Sequence, residues 1–133
     1  MRTHQGALID RVVPGANYVD LQAAMHQSLA AMLVDTGILK CGPEEAFTKE
    51  LTVPFCPHGL GHLLGIQVHD VGGQQLDIDG HTQSPPEPYA SLRLTRPLAQ
   101  DMVITVEPGL YFIPMLPVSY THLRAHATLL DLV

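Results

Sequence analysis

Three histidines and three glycines fall within one short run, Pro57-His58-Gly59-Leu60-Gly61-His62-Leu63-Leu64-Gly65-Ile66-Gln67-Val68-His69-Asp70. Imidazole is the commonest protein metal ligand and the usual proton carrier near neutral pH, and glycine lets backbone approach an ion or a substrate. A lone histidine is more often a surface or core residue than a ligand. His4, His26, His81, His122 and His126 therefore read as ordinary surface or core residues before ligands, whereas His58, His62 and His69 crowd together among glycines and read as an active-site wall. The four-residue spacing of His58 and His62 invites comparison with zinc proteases that hold one ion between two helical histidines. Gly59 stands where such a motif needs its glutamate, and each interior glycine costs a helix about 1 kcal/mol. An extended or looped backbone is expected instead.

A second constellation follows at Met102-Val103-Ile104-Thr105-Val106-Glu107-Pro108-Gly109-Leu110-Tyr111-Phe112. A β-branched apolar run that ends on a carboxylate and is broken by Pro-Gly predicts a buried strand delivering Glu107 to a sheet edge. A carboxylate there needs a positive partner, a metal ion or an arginine, unless the strand end is solvated.

The elements that must position these groups follow from local pattern. Val13-Pro14-Gly15 is a turn, and Asn17 caps a helix running to about Thr36, with Leu21, Met25, Leu29 and Met32 as its core stripe and Gly37 as its stop. A short helix is expected near Glu44 to Lys49. Read as a strand, Ile66 to Asp70 would send Ile66 and Val68 into the core and Gln67 and His69 to the cleft. Residues 72–88 read as a loop flanking the cleft, with strands at Ser91–Arg96 and Met102–Glu107.

The runs from His58 to His62 and Val68 to Gly72, with Leu92-Arg93-Leu94-Thr95-Arg96 and Val106 to Phe112, closely resemble the Xaa-Pro peptidases of the M24 metallopeptidase family, in that family's order and spacing. The likeness runs from roughly Ala7 to Pro117, and its wording looks most like the dipeptidase (prolidase) branch. It implies an α+β, partial pita-bread (creatinase/aminopeptidase-like) fold with outer helices on a curved antiparallel sheet. It also implies two divalent metal ions, usually manganese (Mn2+), held in the cleft by two aspartates, one histidine and two glutamates. By motif position His62 matches the histidine ligand and Glu107 the first glutamate. His58 and His69 match histidines that face the substrate and assist with the tetrahedral intermediate, and Arg93 matches the arginine that clamps the carboxylate of a C-terminal proline. The implied partner is a dipeptide substrate with C-terminal proline, and a homodimer is expected of an intact enzyme.

The chemistry suits those roles. Oxygen ligands plus one imidazole favour manganese-like ions over thiolate-loving ones. Two ions about 3.5–4 Å apart can bridge a hydroxide and polarise the scissile carbonyl, stabilising both the attacking group and the oxyanion, and glutamate can pass a proton to the leaving nitrogen. The prolyl nitrogen carries no hydrogen, so recognition must come from the ends of the dipeptide, where a guanidinium binds a carboxylate through two parallel hydrogen bonds.

Not all of the implied ligands are found. The family's aspartates lie upstream of the helix that begins here near Asn17, and Asp10 and Asp20 lack the surrounding sequence. The final glutamate falls in a Gly-x-Arg-x-Glu-Asp motif, and no glutamate follows Glu107 in this chain. Residues 1–117 are therefore expected to be an incomplete catalytic domain. Residues 118–133 depart from the family and resemble a stretch recurring at the ends of unrelated proteins where translation has run through adapter DNA. His122 and His126 in that tail are not recruited as ligands. Two alternatives to a dipeptidase stand beside it: an Xaa-Pro aminopeptidase, and a non-catalytic binding module on the same scaffold. An inactive, partly folded remnant is a further reading of the chain by itself.

Composition bounds the rest. A net charge of −6 with only seven lysines and arginines argues against a nucleic-acid surface. Cys41 and Cys56 are too few for a disulfide framework. No apolar stretch is long enough to span a bilayer, so no membrane partner and a cytoplasmic setting are expected.

Overall fold

The computed structural model describes residues 1–113. The expected boundary at residue 117 and the tail beyond it, with His122 and His126, lie outside the described residues. The chain divides into two compact units, one of residues 1–25 and 58–108, the other built from residues 26–57 and the chain after Pro108.

Helix α1 spans Arg2–Ile9 and α2 spans Tyr18–Asp35, and the division between units falls within α2. The start of α2 is set by Asn17, whose side-chain oxygen accepts from the amide of Val19 at 2.9 Å. Its end is a Schellman motif. Gly37 sits at φ +74°, its amide bonds the carbonyl of Val34, and the amide of Ile38 reaches back to Leu33 at 2.9 Å. Leu21, Met25 and Leu29 are buried as expected, but the stripe continues to Leu33 and leaves Met32 half-buried. Steps of four keep a residue on one side of a helix, and Met32 falls one position off that line.

In the first unit Leu8, Tyr18, Leu21, Leu60, Leu92, Leu94 and Leu98 are buried. Its sheet is a single antiparallel pair, β1 at Leu63–Leu64 and β2 at Val103–Ile104, with Leu63 opposite Ile104 and Leu64 opposite Val103. The same register continues beyond the strands through hydrogen bonds from Thr105 N to the His62 carbonyl, 2.9 Å, and from Glu107 N to the Leu60 carbonyl, 2.6 Å. Residues 91–96 form no strand, though they run with strand-like alternation, Leu92 and Leu94 inward and Arg93 outward. The expected loop at residues 72–88 is present, with Gln75 bridged to Thr82.

The expected strand at Ile66–Asp70 is absent. Residues 65–69 are an exposed bend, closed by the Asp70 amide on the Leu63 carbonyl at 3.1 Å, and Ile66 and Val68 stand in solvent rather than in the core. Alternation alone does not make a strand where no neighbouring chain takes its hydrogen bonds.

The second unit holds α3, Pro43–Thr48, with Pro43 in the first turn after the Gly42 cap. Its core joins Ala30, Leu33, Leu39, Ala46, Leu51 and Phe55, with Val34, Ile38, Phe47 and Leu110 packed against them. Phe55 meets Phe112 edge-to-face at 5.8 Å. Buried His26 is spent here, its Nδ1 lying 2.8 Å from the Thr52 hydroxyl.

Candidate functional site

Register decides the site. With Leu63 opposite Ile104, and with the hydrogen bonds carrying that pairing outward, His62 lies opposite Thr105, and Glu107 is its diagonal neighbour on the same face. Side chains in that relation can reach one another. His62 Nε2 lies 3.1 Å from Glu107 Oε1, with the imidazole side chain 9% exposed and the carboxylate 50% exposed. The carboxylate therefore stands at a wet strand end, less buried than the apolar run before it predicts.

The His62 tautomer follows from its other nitrogen. Nδ1 is 3.1 Å from the carbonyl of Leu63, which can only accept, so Nδ1 carries the proton. In the neutral ring Nε2 then presents a lone pair to a carboxylate oxygen. Two acceptors at 3.1 Å need a positive charge between them, a proton on Nε2 or a cation shared by both. One imidazole nitrogen and one carboxylate oxygen fit a divalent ion, and the bond from Nδ1 to a backbone carbonyl is the usual way a ligating histidine is oriented.

His69 joins this pair. Its ring meets that of His62 edge-to-face, centroids 4.4 Å apart and planes at 83°. His58 is half-buried on the same segment, with Nδ1 held 2.7 Å from the Gly59 carbonyl. Arg93 is exposed, pointing away from the buried Leu92 and Leu94 on either side of it. The structure thus brings His62, His69 and Glu107 together, but shows no hydrogen bond or ion pair from Arg93 to them.

Several residues that hold this geometry are not evident from motif composition. Tyr18, fully buried, donates from its hydroxyl to the Thr105 carbonyl at 2.7 Å. The Thr105 hydroxyl accepts from the His62 amide at 2.9 Å, taking the place of the carbonyl that Tyr18 occupies. Gln22, one turn further along α2, accepts from the Leu60 amide at 2.5 Å, and Gln5 of α1 donates to the Val106 carbonyl at 2.9 Å. The signal for this bracket is Gly61, where a Cβ would collide with both the Thr105 carbonyl and the Tyr18 hydroxyl. The glycines at 59, 61 and 65 admit other parts of the protein: Leu92, the Thr105–Tyr18 pair and the Asp70 side chain respectively. Burial pushes the Tyr18 phenol well above its ordinary range, and the negative charge of Glu107 adds to the shift.

A separate group, also absent from the sequence reading, lies on the exposed loop at Asp77, Asp79 and His81. It is the one set of three or more metal-ligating side chains with donor atoms within 4.8 Å of one another among the described residues. The His81 ring lies 2.6 Å from Asp77, and this hydrogen bond, with backbone amides of the loop, holds the Asp77 carboxyl below its usual value against the opposing effect of desolvation. Asp10 follows α1 and Asp20 sits in the first turn of α2, and neither belongs to such a group.

The described residues thus form an α+β unit in which a histidine and a glutamate meet across an antiparallel pair. The profile of metallopeptidase family M24 matches residues 1–128, and the chain belongs to that family. It is 44% identical over 128 residues to an Xaa-Pro dipeptidase of Actinobacillus pleuropneumoniae, covering 95% of this chain and 29% of that protein. It is 48% identical over 117 residues to an Xaa-Pro dipeptidase of Sodalis glossinidius, covering 87% of this chain and 26% of the relative. Among solved structures, the Pseudomonas aeruginosa aminopeptidase PepP superposes with a TM-score of 0.66 at 29% identity, covering 85% of this chain and 22% of that one. Proline aminopeptidase P II from Yersinia pestis gives 0.61 at 31% identity, covering 84% and 23%. These likenesses establish a partial pita-bread fold. The chain spans between a quarter and a third of the length of the dipeptidases it matches.

Proposed function

We propose that this chain forms part of the catalytic domain of a metal-dependent dipeptidase that hydrolyses Xaa-Pro, with residues 1–117 as the family portion. The observation that carries this reading is the convergence of His62 Nε2 and Glu107 Oε1 at 3.1 Å from two paired segments. In this proposal both are ligands of one divalent ion of a pair, Mn2+ being the choice that carboxylates with one imidazole favour. When bound, such ions supply Lewis-acid polarisation of the scissile carbonyl and a water made acidic near neutral pH.

The chain's own residues supply the rest. The Leu63 carbonyl holds the proton of His62 on Nδ1 and so keeps Nε2 open. In this reading Glu107, which stands half in solvent, carries a proton to the leaving prolyl nitrogen. His58 and His69 line the substrate side, and Arg93, exposed, offers a planar guanidinium to the terminal carboxylate. The proposed setting is cytoplasmic. Cys41 and Cys56 form no disulfide, and no described helix is long and apolar enough to cross a membrane.

The two solved relatives are named aminopeptidases, which keeps cleavage of longer Xaa-Pro peptides as a second reading. The test is an assay of the full-length protein containing this chain, with Mn2+ and after chelation, on Xaa-Pro dipeptides and on longer peptides beginning Xaa-Pro. Metal-dependent cleavage of the dipeptides is expected to dominate. Preference for the longer peptides overturns the dipeptidase assignment, and folded, Mn2+-loaded protein that cleaves neither favours a binding module.

A further inference from the structure

The function proposed above leaves Asp70 without a part, although it adjoins His69. Its carboxylate is committed twice. Oδ1 accepts from the Gly72 amide at 2.9 Å, capping the short 3-10 turn Val71–Gln74. Oδ2 lies against Gly65, and the three atoms nearest to a Cβ built on that glycine all belong to the Asp70 side chain. The Asp70 backbone amide closes onto the Leu63 carbonyl at 3.1 Å, and Gly65 N bonds the Gln67 carbonyl at 3.2 Å. Residues 65–69 thus form a bend that leaves β1, is drawn back by Asp70, and carries His69 at its end.

We propose that Asp70 is a positioning residue: by folding the 65–69 bend onto Gly65 it fixes the His69 ring edge-on to His62 at 4.4 Å. This rests on the reading that His69 faces substrate. A bend with Ile66 and Val68 in solvent has no core of its own to orient it, so the carboxylate contact takes that place. Gly65 is its counterpart. It does not adopt positive φ, so alanine there meets no backbone strain, and the nearest atoms in its way are those of the Asp70 side chain.

The test uses Asp70→Asn, Asp70→Ala, Gly65→Ala and the Gly65→Ala/Asp70→Ala double variant of the full-length protein. Crystal structures give the His62–His69 separation, and steady-state kinetics on an Xaa-Pro dipeptide give KM and kcat. Asparagine keeps an oxygen for the Gly72 amide, so Asp70→Asn is expected to retain the edge-on rings and a near-normal KM. Asp70→Ala is expected to part the rings and raise KM by about 10-fold, the lower end of what loss of a residue orienting a site costs, with a smaller change in kcat. Gly65→Ala should do the same alone and add little in the double variant, because the carboxylate that its Cβ would strike has been removed. Rings that stay together in Asp70→Ala, an asparagine variant as impaired as alanine, or parted rings with unchanged KM each overturn the proposal. Should Asp70→Ala not fold, the Asp70→Asn and Gly65→Ala comparison decides it. A wild-type protein without Xaa-Pro activity removes the functional reading, while the ring geometry of the variants still tests the role of Asp70.

Discussion

His62 and Glu107 face each other as acceptor and acceptor, and the physical question is which positive charge joins them. If a divalent ion does, His62→Ala and Glu107→Ala each remove a direct ligand. Calorimetric titration of the full-length protein with Mn2+ is expected to show affinity falling by at least about 100-fold, beyond the 10- to 100-fold typical of residues that only orient ligands. Unchanged uptake in either variant would show that the pair is an ordinary ion pair. Both residues were legible in the sequence, because an imidazole among glycines and a carboxylate before Pro-Gly are unusual enough to be noticed. The seat of His69 against the edge of His62 was not legible, because the strand read over Ile66–Asp70 does not form. Arg93 could be read only from the family motif, since an exposed arginine between buried leucines has no chemical signature of its own.

Between the residues and the fold stands the bracket of α2 on the two site segments. Tyr18 and Gln22 lie one helical turn apart and hold, respectively, the Thr105 carbonyl and the Leu60 amide. Tyr18→Phe keeps the ring and strands the Thr105 carbonyl, a change expected to cost about 1–3 kcal/mol in denaturant unfolding. The raised phenol pKa adds a pH signature. A folded-state pKa above the unfolded one makes a contribution that is full below the unfolded value, about 10, and declines as pH rises past it. The wild-type chain should therefore lose stability on the alkaline side, and the phenylalanine variant should lose less over the same range. Equal alkaline slopes would show that Tyr18 is not the group responsible. Helix α2 itself could be read from its cap and its Gly37 stop, which are local signals. The bend at residues 65–69 could not, because an exposed bend and a half-buried strand share the same apolar alternation until partners for the backbone are known.

For the molecule as a whole, the M24 membership and the partial pita-bread fold agree with the expectation drawn from the motifs, and the described residues supply the helices and one antiparallel pair of that architecture. The ligand set implied by the family was legible only in part. Asp10 and Asp20, ten positions apart, tempt a pairing that their places at the end of α1 and in the first turn of α2 do not support.

The hairpin that ends in Asp77, Asp79 and His81 has a further consequence. Its tip is exposed, Gly80 turns it at φ +87°, and it is closed behind by Gln75 and Thr82. The two halves of the candidate centre lie on opposite sides of that tip, yet they are stitched to each other through Leu60, His62, Thr105 and Glu107. A protease that severs the tip of the full-length protein should yield two bands under denaturing conditions and one particle under native ones, with His62 and Glu107 still side by side. The same place would accept a foreign insert, or new chain ends made by permutation. Separation of the halves on nicking would show that covalent continuity, rather than the cross-strand stitching, holds the pair together.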